Sequence, residues 1–257
     1  MTPFQDIIFT QEEGIATITL NRPHTLNALT NNMIQEWVAA IEEAKKDPEV
    51  KVLVVTGAGR GFSSGADMRQ RSSSPGPASQ RSYLVGRALK DFYKPYIGAI
   101  NGPAVAAGMN LASMCDIRIA SEQARFGMVF VSRLGITPGD VGAYYLPRIV
   151  GVARAAELIW TGKIINAEEA LAIGYVSRVV PQDQLMEATR ELALELARGP
   201  ALAIQLSKRL IYRCLSLDLE AAVEAHYWAL AEANASRDSG EGRQAWEEKR
   251  APLFEGR

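Results

Sequence analysis

"KPYIGAINGPAVAAGMNLASMCDIRIAS", residues 94–121, decides how the rest of the chain is read. Residues 94–102 read as a strand, 106–114 as a helix and 115–121 as a second strand, with a turn rich in glycine and alanine before the helix. A strand that passes through a helix and returns to a strand is a crossover, the connection that parallel β-structure requires. Small residues at the turn leave backbone N–H groups free to face a ligand, which is what an oxyanion needs. The same residues also permit tight packing of helix on strand, and the local chemistry does not separate the two readings.

Outward from this unit the cycle recurs. "GIATITLNRP" (14–23) alternates apolar and polar residues into a proline stop and reads as a strand. Residues 30–47 form an amphipathic helix: Thr30 is a good N-cap, and Met33, Ile34, Trp37, Val38, Ile41 and Ala44 share one face. The apolar run 50–59 ends in glycine, as a buried parallel strand does. "GFSSGADM" (61–68) is a second Gly/Ala-rich turn, the Ser/Pro-rich 69–81 reads as a loop, and 81–93 reads as a helix. From about residue 142 the pattern turns helical, over 152–162, 166–174, 184–199, 201–215 and 218–236. No repeat of fixed period occurs. The class is α/β with parallel strands.

The 257 residues suffice for one large domain with a full core. With 47% hydrophobic and 22% charged residues the balance is that of a soluble globular chain, and a net charge of −1 argues against a general affinity for nucleic acid or membrane surfaces. No apolar run approaches the ~20 residues that cross a bilayer, and "MTPFQDIIFTQEEG" lacks the pattern of a secretion signal. Cys115 and Cys214 make no disulfide framework, and two histidines make no zinc cluster. Neither a phosphate loop nor a GxGxxG fingerprint is present. The expectation is a cytoplasmic protein without a metal.

Taken together, "NRPHTLNAL" (21–29), "GFSSGADM", residues 94–121, "LPRIVG" (146–151), "WTG" (160–162), "EEALAIGYVSRVVP" (168–181) and "EKRAPLFEGR" (248–257) resemble the crotonase, or enoyl-CoA hydratase/isomerase, family over most of the chain. The resemblance implies a spiral of β-β-α turns over 1–200 that binds acyl-CoA, and a C-terminal helical trimerisation region over 201–257, within one structural domain. It implies a homotrimer or hexamer, a role in fatty acid metabolism, and coenzyme A as part of the substrate with no separate cofactor. In such proteins two backbone N–H groups polarise the thioester carbonyl. The matching positions are Ala66 and Ala107, and since both donors are main-chain, alanine at the second, where glycine is usual, still donates.

Family hydratases carry two glutamates that add water across a double bond. The matching positions read Asn110 and Phe130, neither of which exchanges a proton. Asn110 is suited to hold a water or a substrate oxygen, and Phe130 to make its side of the site apolar. One carboxylate stands in the right neighbourhood: Asp140, in "GITPGDVGAYYLPR" (135–148), matches a turn in which some relatives carry a catalytic aspartate. The spacing leaves open whether Gly139 or Asp140 fills that slot, and an aspartate there also reads as an ordinary helix cap. His24 lies where the family runs along the coenzyme A, Asp67 and Met68 follow the first oxyanion donor, and Tyr144 lies one turn beyond Asp140, within reach of the acyl pocket. The 69–81 loop and the helices after 200 are expected to line that pocket. The expected activity is double-bond isomerisation through a thioester enolate, in preference to hydration. Hydrolysis of a thioester or C–C bond through Asp140, and acyl-CoA binding without turnover, are the alternatives.

Overall fold

β1 (Ile7–Glu12) and β2 (Ile15–Leu20) form a hairpin whose turn, Glu13–Gly14, has positive φ at both residues. That geometry matches the twist of paired strands. A computed structural model describes residues 4–70, 83–139 and 141–256 of the chain. Residues 71–82, which hold most of the expected 69–81 loop and the start of the expected 81–93 helix, and Asp140 lie outside the described residues.

Thr30 caps α1 (Asn31–Lys46), its Oγ1 accepting from the Met33 N–H at 2.9 Å. The helix buries Met33, Ile34, Trp37, Ala40, Ile41 and Ala44. Each large side chain among them contributes about 2 kcal/mol by leaving water. β3 (Val52–Gly57) is buried throughout and pairs parallel with β2. Then come α2 (Tyr83–Leu89), β4 (Tyr96–Ile100), β5 (Pro103–Val105) and α3 (Ala107–Ser113), followed by β6 (Ile117–Ser121), β7 (Arg125–Gly127) and α4 (Phe130–Leu134). β4–β5–α3 and β6–β7–α4 are two successive β-β-α turns. The chain continues through α5 (Gly142–Val150), α6 (Val152–Thr161), β8 (Ile165–Asn166), α7 (Ala167–Ala172) and β9 (Arg178–Val180). It ends in α8 (Leu185–Ala197), α9 (Ala201–Cys214), α10 (Leu219–Asn234) and α11 (Arg237–Glu248).

Two sheets result. The larger runs β1-β2-β3-β4-β6-β9, parallel except for the hairpin, and the smaller runs β5-β7-β8. Each β-β-α turn lays its first strand in the large sheet and its second in the small one. Isolated bridges extend the small sheet backwards, Ser63 against Ala104 and Leu29 against Ala66. The main core fills the space between the sheets, α1 and α3. A second cluster, including Val54, Ile97, Ile119 and Leu185, seals the other face of the large sheet under α8. Among the described residues no helix is long and apolar enough to cross a membrane.

Candidate active site

The Ser63–Ala104 bridge sets the geometry of the site. Val105 N–H donates to Ser63 O at 2.9 Å, and Ser63 N–H donates to Pro103 O at 3.0 Å. Ala66 and Ala107 each lie three residues beyond this pair, so successive turns of the spiral bring them to corresponding places. Their segments touch: a Cβ on Gly65 would lie 3.4 Å from Ala107 N and 3.0 Å from Val105 O. Gly65 has φ +95°, a conformation open to glycine. Ala106 adopts φ 50° and ψ −120° just before α3, held by its N–H on Gly127 O at 2.8 Å. Neither the Ala66 nor the Ala107 N–H donates to another group among the described residues. Ala107, as the first residue of α3, has no intrahelical partner to donate to.

The 22–29 segment is laced to the first turn. Ser64 N–H donates to Leu26 O and Leu29 N–H to Gly65 O, at 2.9 and 2.8 Å. Arg22 Nη1 donates to Ala28 O at 2.7 Å and to Asp67 Oδ2 at 3.1 Å, and Arg69 forms a second pair with the same carboxylate. Hydrogen bonds from Arg69 first of all, then from Arg22, hold the Asp67 carboxyl at about 2 although burial opposes them. Asp67 therefore stays ionised and fixes the loop that carries Ala66. His24 is exposed in the 3-10 turn Pro23–Thr25, and Met68 is exposed directly after Asp67.

Asn110 is fully buried on α3. Its Nδ2 donates to Gly139 O at 2.7 Å, tying α3 to the turn before α5. Its Oδ1 has no hydrogen-bond partner among the described residues, and a Cβ on Gly142 would stand 2.3 Å from that atom. Gly142 is therefore what lets α5 dock on the amide. Phe130, buried, opens α4 and packs in the main core. Asp140 itself lies outside the described residues. The N-cap position of α5 belongs to Val141, and among the described residues no side chain caps it. Tyr144, exposed on α5, stacks edge-on against Tyr145 with ring centres 5.1 Å apart and carries the Arg148 guanidinium over its face at 3.8 Å. Burial pushes the Cys115 thiol to about 12, which leaves it inert as a nucleophile.

Gly65, Ala106 and Arg22 were not singled out from the sequence, although all three shape the site. The adjacent residues "NRP" and "SGAD" marked the segments. The pairing of Ser63 with Ala104 is long-range and leaves no local signal.

A family model described as enoyl-CoA hydratase/isomerase matches residues 10–257. A short-chain-enoyl-CoA hydratase of Clostridium acetobutylicum is 37% identical over 250 residues, 95% of each chain. A 1,2-epoxyphenylacetyl-CoA isomerase of Escherichia coli is 36% identical, over 96% of this chain and 97% of its own. Among solved structures, an enoyl-CoA hydratase subunit of Geobacillus kaustophilus superposes with a TM-score of 0.93 at 37% identity, covering 100% of both chains.

Proposed function

The chain belongs to the enoyl-CoA hydratase/isomerase family, and we propose that it moves a proton on an unsaturated acyl-CoA, shifting a double bond rather than adding water. The observation that carries this reading is Asn110: the side chain at that place is an amide spent on Gly139 O, not a carboxylate. The buried phenyl of Phe130 likewise supplies no proton. Asp67, the carboxylate beside the first turn, is too acidic and too well paired to act as a base.

In this reading the Ala66 and Ala107 N–H groups bind the thioester oxygen and stabilise the enolate that forms when a proton leaves the carbon chain. Each such donor contributes about 3 kcal/mol to the transition state. Asp140 takes the proton from one carbon and returns it to another, so a single carboxylate closes the cycle. Support for Asp140 comes from its neighbours. Gly139 is held by Asn110, and Gly142 is packed against the same amide.

The test is mass spectrometry of 2-enoyl-, 3-enoyl- and dienoyl-CoA incubated with the protein in deuterated water. Deuterium gain without added water or free coenzyme A is expected, and Asp140→Asn should abolish it. Unchanged exchange in that variant removes Asp140 from the mechanism. Net hydration would restore the hydratase reading, and release of coenzyme A would assign a hydrolase.

A further inference from the structure

A cleft of about 660 Å³ opens between α2, the end of α3, α5 and α9, a size typical of small-ligand sites. It begins beside the candidate active site, where Val141 lines it next to the turn held by Asn110. Met114, just past the last turn of α3, also lines it. Seven residues of helix separate Met114 from Ala107, about 10 Å at the α-helical rise. Phe92, Tyr93, Tyr145 and Tyr212 give the walls an aromatic character.

The lining is also strongly cationic. Lys208 is spent on Asp116, at 2.7 Å, and the Asp116 carboxylate also accepts from Tyr212 Oη at 2.6 Å and Tyr96 N at 2.7 Å. Arg87, Lys90, Arg209 and Arg213 remain, facing the single further carboxylate of Asp91. Among the described residues none of the four lies within ion-pair distance of a carboxylate. Arg209 is half-buried and pre-organised, its guanidinium 4.8 Å from the Trp228 ring centre and 5.7 Å from that of Tyr93. Stacking occupies the guanidinium face and leaves the in-plane N–H donors for a planar, bidentate acceptor.

We propose that this cleft receives the far end of the acyl chain and that Arg209, with Arg87 and Lys90, binds a carboxylate there, making the substrate the mono-CoA thioester of a dicarboxylic acid. The inference rests on the acyl-CoA reading above. An anion at this place has two sources, the distal carboxylate or the phosphates of coenzyme A. The carboxylate is favoured because the cleft is lined by Val141, beside the proposed carbonyl site, and by Met114 and four aromatic side chains, which suit an acyl chain.

Calorimetric titration separates the cases with two saturated, unreactive probes of equal length, hexanoyl-CoA and the mono-CoA thioester of hexanedioic acid. The wild-type protein is expected to bind the acid-ended probe about ten- to a hundredfold more tightly, the range of a charge-assisted hydrogen-bonded pair. Arg209→Gln should bring the ratio close to one while leaving hexanoyl-CoA binding unchanged. The exposed double variant Arg87→Gln/Lys90→Gln should lower the ratio without touching the stack on Trp228. Equal affinities in the wild type overturn the proposal, and so does an equal loss for both probes in the variants, which would assign the cations to the phosphates. Failure of the wild type to bind either probe or free coenzyme A would instead overturn the acyl-CoA reading itself.

Discussion

Gly65 sits where the two turns of the site nearly touch, and its missing side chain is what allows them to. A methyl group there would stand 3.0 Å from Val105 O and 3.4 Å from Ala107 N, on a backbone at φ +95°. Gly65→Ala is expected to lower kcat/KM by roughly a hundredfold, the loss typical of one oxyanion donor, while far-UV circular dichroism stays unchanged. Full activity in the variant would remove Ala66 and Ala107 from their proposed role. Ala106, between Val105 and Ala107, holds a conformation that costs about 1–3 kcal/mol for a residue with a side chain. Asp67 leaves its mark on stability. Its folded pKa lies below the unfolded value, so its contribution is complete above about pH 4 and is lost as pH falls through about 2. The shift corresponds to about 2 kcal/mol at most, less once solvent screens Arg69, whose side chain is 72% exposed. Denaturant unfolding of Asp67→Asn should show a deficit against the wild type at neutral pH that closes between pH 4 and 2. A deficit independent of pH would show that Asp67 acts through packing and not through its charge.

At the scale of elements, the junction of α3 and α5 is held by one amide. Asn110→Ala removes the bond to Gly139 O and opens a cavity under Gly142, a loss of about 1–3 kcal/mol. If Asn110 positions the Asp140 turn, kcat falls more than KM in that variant. A rise in KM alone would instead make Asn110 a substrate contact. The helix face of α1 and the buried run of β3 were legible in the sequence because period and capping are local properties. β1 was not: only Ile7 of its six residues is buried, so "IIFTQE" shows no clean alternation. The strands of the small sheet were missed for a related reason, since β5, β7 and β8 span two or three residues and exist through pairing with distant segments. The helix α5 was expected from about residue 142 and starts at Gly142, although Pro147 lies inside it. The two Gly/Ala turns stood out by composition, yet their mutual register is a product of the spiral and is invisible in either turn alone.

At the scale of the whole molecule, the helices after residue 200 bury little apolar surface within the chain. Leu219, Val223, Tyr227 and Leu230 recur at helical spacing along one side of α10, and all four are exposed, Leu219 at 77% and Tyr227 at 66%. Trp246 on α11 and Leu253 beyond it are more exposed still than Tyr227. A contiguous apolar stripe of this kind on a folded chain marks an interaction surface. The family resemblance expects copies of the chain itself as the occupant, in a trimer or a pair of trimers. Native mass spectrometry is therefore expected to give a species of three or six times 28.0 kDa. Tyr227→Glu, which places a charge in the middle of the stripe, should shift that species toward the monomer while far-UV circular dichroism stays the same, because Tyr227 packs little within its own chain. A wild-type protein that stays monomeric at micromolar concentration would mean that these helices cover something other than a copy of themselves. A Tyr227→Glu variant that assembles as the wild type does would move the contact off α10, leaving α11 and the exposed Trp246 as its place.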